Sequence, residues 1–424
     1  MLITTITDQG LRILVEPLPH THSVSMGYFV GVGACHETAQ FSGMAHLIEH
    51  LCFKGTQSFP NPKLISDMIE GVGGILEAST SHESTIYWSK VADLYVDRAI
   101  SLLTEMVRYP LFEAAEMAKE QQVICEEIRS YQDSPDEIAH LLLHESLWGA
   151  QPLGRDIAGS IETVSALTRQ DVVDFWQQHY SQKDLVISVA GNIDPAQVIE
   201  AIKVAFTGHP AHDPLPPLPT KPARPGPEVV LLPKETEQGQ FCLGFPALSY
   251  SDPDRRAAQV LNVIVGGGTS SRLFQEVREE RGLAYEIGSY QNELVDSGMW
   301  VIYGGVRTNA LRDSLRLILQ ILANVASKGV TVEELKRVKD QVKGGMLISL
   351  EDTWSVASRN GSHLLHYGEV VPVERVVEEI EAVTQEDVLR VAQRLLRRDS
   401  LHLAVVGPYQ KKDKALLRSI LEEF

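Results

Sequence analysis

The sequence predicts an α+β protein of two homologous domains, each a mostly antiparallel sheet packed against helices, related by internal duplication. Three observations predict this. The chain has 424 residues, more than one hydrophobic core usually organises, so two domains of about 200 residues are expected. Eight prolines fall between residues 210 and 227 (Pro210, Pro214, Pro216, Pro217, Pro219, Pro222, Pro225 and Pro227). They can continue neither a helix nor a central strand, and they favour an extended course. This segment near the midpoint is the expected linker, with domains at 1–209 and 228–424.

The third observation is a repeat. At a constant offset of 216, Thr168 aligns with Thr384, Asp171 with Asp387, Val172 with Val388, Leu185 with Leu401 and Gly191 with Gly407. Each copy gives a Thr cap, an amphipathic helix and an apolar strand. A register held through helix, loop and strand argues for duplication. Within the first half, alternation over 11–16 and 23–32 predicts hairpin strands. The 3.6-residue periodicity of 97–109, 113–130 and 136–147 predicts helices. Strands followed by runs of helices point to α+β layers, not a parallel doubly wound sheet.

Charge and composition exclude several classes. The net charge is −18, from 38 basic and 56 acidic residues, which argues against a nucleic-acid partner. No run approaches the roughly 18 apolar residues of a membrane span. Strand-like alternation over residues 2–15 leaves no room for a signal peptide, so a cytoplasmic protein without a membrane partner is expected. Cys35, Cys52, Cys125 and Cys242 show no C-x-x-C spacing and are expected to be reduced, mostly buried thiols. Gly266, Gly267 and Gly268 lack the lysine of a phosphate loop, so nucleotide binding has little support.

Residues 46–50 carry the chemistry: His46-Leu47-Ile48-Glu49-His50. On a helix, His46, Glu49 and His50 fall within an arc of roughly 100°. Two imidazoles on one face can share a metal ion, and Glu49 beside them could take a proton from an attacking water. The order is the inverse of the H-E-x-x-H zinc-protease motif. Two half-buried histidines of an amphipathic helix would show the same pattern. A third ligand is best sought on the helix 113–130. Glu120 and Glu127 are seven residues apart there and share an inward stripe with Val123 and Ile124, while Glu126 faces solvent. Inward carboxylates need a positive partner, either a metal ion or a salt bridge.

The stretches GMAHLIEHLCFKGT (43–56), GGILEASTSHEST (73–85) and VICEEIRSY (123–131) resemble the pitrilysin, insulin-degrading enzyme and mitochondrial processing peptidase family. So does the spacing of Glu127 from His50, and the resemblance spans essentially the whole chain. It implies two α/β-roll domains, one zinc ion per chain held by His46, His50 and Glu127, and Glu49 as the residue that activates water. It makes Glu120 an orienting partner on the ligand helix. The corresponding helix of the second half lacks a matching carboxylate. Instead, Arg278 and Tyr285 in VREERGLAY would share a face if helical, and the resemblance makes them substrate-holding and transition-state-stabilising residues. Arg281 is a surface arginine in this reading.

One position departs from the family. Glu77 stands where an Asn often binds substrate backbone, and it either favours basic substrates or is simply exposed. His140, His144, His363 and His366 are read as packed or surface histidines, and Cys52 as a core thiol. The implied activity is that of a zinc endopeptidase acting on peptides or unfolded segments in a chamber between the two halves, as a homodimer. Its rivals are a processing peptidase for one precursor and a non-catalytic subunit of the same fold.

Overall fold

In the computed structural model, which describes residues 2–424, the alternating segments pair into two sheets, one in each half. The first contains β1 (Ile3–Ile6), β2 (Arg12–Pro17), β3 (Ser23–Val30), β4 (Ile75–Thr80), β5 (Thr85–Ala92) and β6 (Leu185–Gly191), in the order β1-β2-β6-β3-β5-β4. The second contains β7 (Glu228–Pro233), β8 (Gln238–Pro246), β9 (Ala284–Glu293), β10 (Gly298–Arg307) and β11 (His402–Gly407), in the order β7-β11-β8-β10-β9. Apart from β1, the orders are the same. In each sheet one pairing is parallel, β2 with β6 and β7 with β11, and the others are antiparallel. Arg12 faces Val186, and Glu228 faces His402 in the copy.

The caps repeat as well. The side chain of Thr168 accepts from Asp171 N at the start of the helix Arg169–His179, and Asp171 returns to Thr168 N. Thr384 and Asp387 form the same reciprocal box at the helix Gln385–Leu395. Each box satisfies amide groups that a helix start leaves without partners. The predicted helices occur at Val96–Arg108, Ala114–Asp133 and Pro135–Trp148. Residues 2–15 form two strands instead of one because the chain reverses at Gly10, which adopts φ +87°.

Packing divides the chain into two compact units. The first comprises 1–128, 156–219 and 346–371; the second comprises 129–155, 220–345 and 372–424. Each unit therefore includes one helix from the other half of the sequence. The helix Thr353–Tyr367 lies on β3 and β6 in the first unit, and Pro135–Trp148 lies on β8 and β11 in the second. Trp354 stacks on Trp88 with ring centroids 4.2 Å apart and on Phe29 at 6.3 Å. Thr353 and Ser25 share a buried hydrogen bond of 2.8 Å, and Asn360 donates to Glu16 at 2.7 Å. In the second unit, Ser146 donates to Nδ1 of buried His402 at 2.7 Å, while His402 Nε2 reaches Arg224 O. All four cysteines are buried. Among the described residues no single helix is long and apolar enough to cross a membrane.

Candidate metal centre

The H-x-x-E-H residues lie on the helix Met44–Cys52, whose opposite face buries Met44, Leu47, Ile48 and Leu51 in the core of the first unit. That packing fixes which side of the helix His46, Glu49 and His50 occupy. Cys52 is fully buried. The helix start is held by Glu37, a fully buried carboxylate. It accepts from Gly43 N at 2.9 Å and from Ala45 N at 2.7 Å. A carboxylate at this end meets both unpaired amides and the positive pole of the helix. Gly43 adopts φ +94°, and a Cβ there would lie 2.6 Å from Ala158 O, so the entry turn requires glycine.

The acidic helix Ala114–Asp133 brings its carboxylates to this face. Its buried positions are Met117, Glu120, Ile124, Cys125 and Ile128. Val123, expected inward, is 48% exposed. Relative to Glu120 it is rotated about 60° one way, while Ile124 and Ile128 lie about 40° and 80° the other way, so the buried stripe passes it by. Glu126 is exposed as expected.

Ligand atoms of His46, His50 and Glu127 lie within 4.8 Å of one another, the one such group of His, Cys, Asp or Glu among the described residues. The two imidazoles stand edge to face at 4.6 Å. His50 Nε2 is 3.8 Å from Glu127 Oε2. On its other side, His50 Nδ1 donates to Glu120 Oε2 at 3.1 Å, since an ionised carboxylate can only accept. This leaves the Nε2 lone pair of His50 directed to the cluster. His46 Nδ1 is buried without a hydrogen-bond partner. Burial, reinforced by His50 and opposed by Glu127, lowers the His46 pKa to about 4, so near neutral pH the imidazole keeps one nitrogen lone pair to offer. Two imidazoles and a carboxylate form a donor set that suits zinc.

Glu49 is set apart from this trio. Thr80, the last residue of β4, donates its hydroxyl to Glu49 Oε2 at 2.6 Å. Burial raises the Glu49 pKa, and the Thr80 bond works against that. Such a carboxylate is adjusted for taking and returning a proton. Glu120 is buried too, yet its pKa is lowered because hydrogen bonds from His50 and Lys54 outweigh desolvation. Lys54 Nζ lies 2.8 Å from Glu120 Oε1.

Glu77 is exposed on β4, where it faces Trp88 of β5. Strand alternation places it on the opposite face from Thr80. Arg278 and Tyr285 belong to the second unit, and they do not share a helical face. Arg278 lies in the π-helical segment Phe274–Glu280 and Tyr285 at the start of β9, after a turn at Gly282 with φ +58°. The turn nonetheless brings them together. The guanidinium sits 5.1 Å from the Tyr285 ring and 4.6 Å from the Phe274 ring, a double cation–π contact. Tyr285 is 77% exposed. Arg281 is exposed. His140 bonds Tyr290 and His144 bonds Leu153 O, both as packed histidines.

Glu37, Thr80 and Lys54 are the site residues that spacing did not single out. Thr80 and Lys54 do stand inside the stretches 73–85 and 43–56 that carry the resemblance. Lys54 also follows His50 by four residues, the spacing that puts two side chains on one face.

The chain is similar to known proteins over nearly its whole length. Residues 12–160 match the family described as Insulinase (Peptidase family M16), and residues 166–342 match the Peptidase M16 inactive domain. An uncharacterized zinc protease of Streptomyces coelicolor is 37% identical over 415 residues, covering 96% of this chain and 90% of that protein. One of Bacillus subtilis is 37% identical over 401 residues, covering 95% and 97%. Among solved structures, a protease from Helicobacter pylori superposes with a TM-score of 0.88 at 22% identity, covering 96% of this chain and 99% of that one. A peptidase M16 inactive domain from Pseudomonas fluorescens gives 0.90 at 20% identity, covering 97% and 98%. With its two halves matching in order and its relatives named as zinc proteases, the chain belongs to the M16 (insulinase) family of peptidases.

Proposed function

We propose that this chain is a zinc-dependent endopeptidase that hydrolyses peptides or unfolded polypeptide segments. The observation that carries the reading is the convergence of His46, His50 and Glu127 with Glu49 held beside them by Thr80. When bound there, zinc would polarise the scissile carbonyl and acidify the attacking water. Glu49 takes the proton of that water through the carboxylate oxygen not engaged by Thr80, and returns it to the leaving amine. Glu120 keeps the imidazole of His50 in the tautomer that binds.

An extended peptide suits the surroundings. β4 is an edge strand of its sheet, so its outer backbone groups can pair with an added strand. β4 ends at Thr80, which contacts Glu49. Main-chain pairing of this kind grips a substrate with little regard to sequence. Arg278, pre-oriented on Phe274 and Tyr285, is proposed to hold substrate and to offset developing negative charge. Glu77, on the other face of β4, is assigned no contact with the reacting bond.

The test is hydrolysis of a quenched fluorescent peptide library by zinc-loaded wild type and Glu49→Gln. Loss of on the order of 10²–10⁴-fold in kcat with zinc retained is expected. Equal activity in the two proteins would overturn the role of Glu49. Cleavage of no library member, with cleavage of one precursor, would point to a dedicated processing enzyme.

A further inference from the structure

We infer that Lys54 is a positioning residue for the metal centre, acting on His50 through Glu120. The inference rests on the zinc-peptidase reading above. Helix Met44–Cys52 stops two residues short of Lys54, but the chain keeps winding. Phe53 N donates to His50 O at 3.1 Å and Lys54 N to Leu51 O at 3.0 Å. Lys54 therefore projects from the same side as His50, one turn later. Both side chains end on one carboxylate: Lys54 Nζ on Glu120 Oε1 at 2.8 Å, and His50 Nδ1 on Glu120 Oε2 at 3.1 Å.

This arrangement answers a question that the helix alone leaves open. Glu120 has a side chain only 5% exposed, and a buried carboxylate needs an opposing charge or it turns toward water. An imidazole that offers its Nε2 lone pair to a metal carries no positive charge of its own to supply. Lys54 does, and by occupying one oxygen it leaves the other facing Nδ1. His50 is thereby held in the tautomer with its Nε2 lone pair toward His46 and Glu127.

Two roles for Lys54 predict opposite signs. A lysine that was only a nearby positive charge would repel a dication, so its removal would tighten zinc binding. A lysine that orders Glu120 would loosen zinc binding on removal. The experiment measures zinc affinity by competition with a chromophoric chelator for wild type, Lys54→Met, Lys54→Arg, Glu120→Gln and Lys54→Met/Glu120→Gln. The thermal midpoint of each metal-free protein serves as the folding control. Losing an orienting partner of a metal ligand weakens affinity by about 10–100-fold. Lys54→Met is expected near the lower end, with Lys54→Arg closer to wild type.

The double variant should bind no more weakly than Glu120→Gln, because a residue acting through another loses its effect when that other is gone. Unchanged or tighter zinc binding in Lys54→Met would overturn the inference, as would strictly additive losses. Failure of wild type to bind zinc at all would instead defeat the zinc-peptidase reading, so the two failures are distinguishable. Should Lys54→Met fail to fold, Lys54→Gln alone and combined with Glu120→Gln gives the same coupling, since Gln also removes the positive charge.

Discussion

The hydroxyl of Thr80 lies 2.6 Å from Oε2 of Glu49 and, with a carboxylate as the acceptor, donates to it. One oxygen of Glu49, the proposed general base, is thus engaged by the end of an edge strand, and the other stays available to a water. Thr80→Val should lower kcat about 10-fold, less than the roughly 10²–10⁴-fold that a positioned base contributes, because the base itself remains. KM and bound zinc should stay near wild type, and Thr80→Ser should recover most of the loss. Steady-state kinetics with metal analysis would check this, and a change confined to KM would contradict it.

Metal removal should abolish activity, and returning zinc should restore it. Glu127→Gln, which keeps the shape but removes the charge, should bind zinc at least 100-fold more weakly than wild type, exceeding the loss expected of an orienting partner. Ligand binding to the folded state alone raises its stability. Zinc should therefore raise the thermal midpoint of wild type and leave that of Glu127→Gln almost unmoved.

Arg278 should not be replaceable by lysine. A guanidinium stacks on rings as a flat cation, whereas an ammonium is a point charge on a flexible stem. Arg278→Lys is expected to reduce kcat/KM by about 10-fold, the scale of one cation–π contact of roughly 1–2 kcal/mol. Zinc affinity should be unaltered. Equal kcat/KM in the two proteins would remove Arg278 from the substrate-holding role.

Trp354 lies between Trp88 and Phe29 on the face of the first sheet. Its truncation removes a large ring from a packed layer. Trp354→Ala should cost about 3–5 kcal/mol, read from urea unfolding followed by circular dichroism. A cost below about 1 kcal/mol would mean that the layer can close over the gap.

Acid should destabilise the fold through histidines outside the metal cluster. Burial, first among the causes, lowers the pKa of His36, His179 and His209 to about 4 each. The rings of His36 and His179 are also 5.6 Å apart, and His36 disfavours a proton on His179. A histidine with a depressed folded pKa takes up its proton first in the unfolded chain. Its contribution is therefore complete above pH 6.5 and lost as pH falls toward 4, by up to ~3 kcal/mol for each such group. The unfolding midpoint should fall steeply across that window. His36→Asn, which keeps an acceptor for Gly33 N, should flatten the fall.

Sequence periodicity carried far where local geometry decides the outcome. The helical phase alone set His46, Glu49 and His50 on one side and turned Glu120 and Glu127 inward. The 216-residue register anticipated matching Thr caps at Thr168 and Thr384, and both occur, each closed into a reciprocal box by an Asp. Phase was less informative for Val123, because an inward stripe is only as wide as the surface that it meets. Arg278 and Tyr285 meet through a π-helical segment and a turn, which heptad spacing does not describe. Contacts between segments distant in the chain, such as Thr80 with Glu49 and Glu120 with Lys54, depend on tertiary approach and leave no periodic trace. The exchange of helices is of the same kind. A repeat says that two helices are alike, not which sheet each will cover.

That exchange has a consequence for synthesis. The last strand of the first sheet ends at Gly191, but the helix that covers β3 and β6 begins only at Thr353. At about 5–20 residues per second on the ribosome, the wait is on the order of ten to thirty seconds. During it, Leu14, Phe29 and Val186, which later pack with Leu364, have no native cover. The nascent first half thus keeps an apolar sheet face open until that helix is made, and translational pauses before codon 353 would lengthen its exposure.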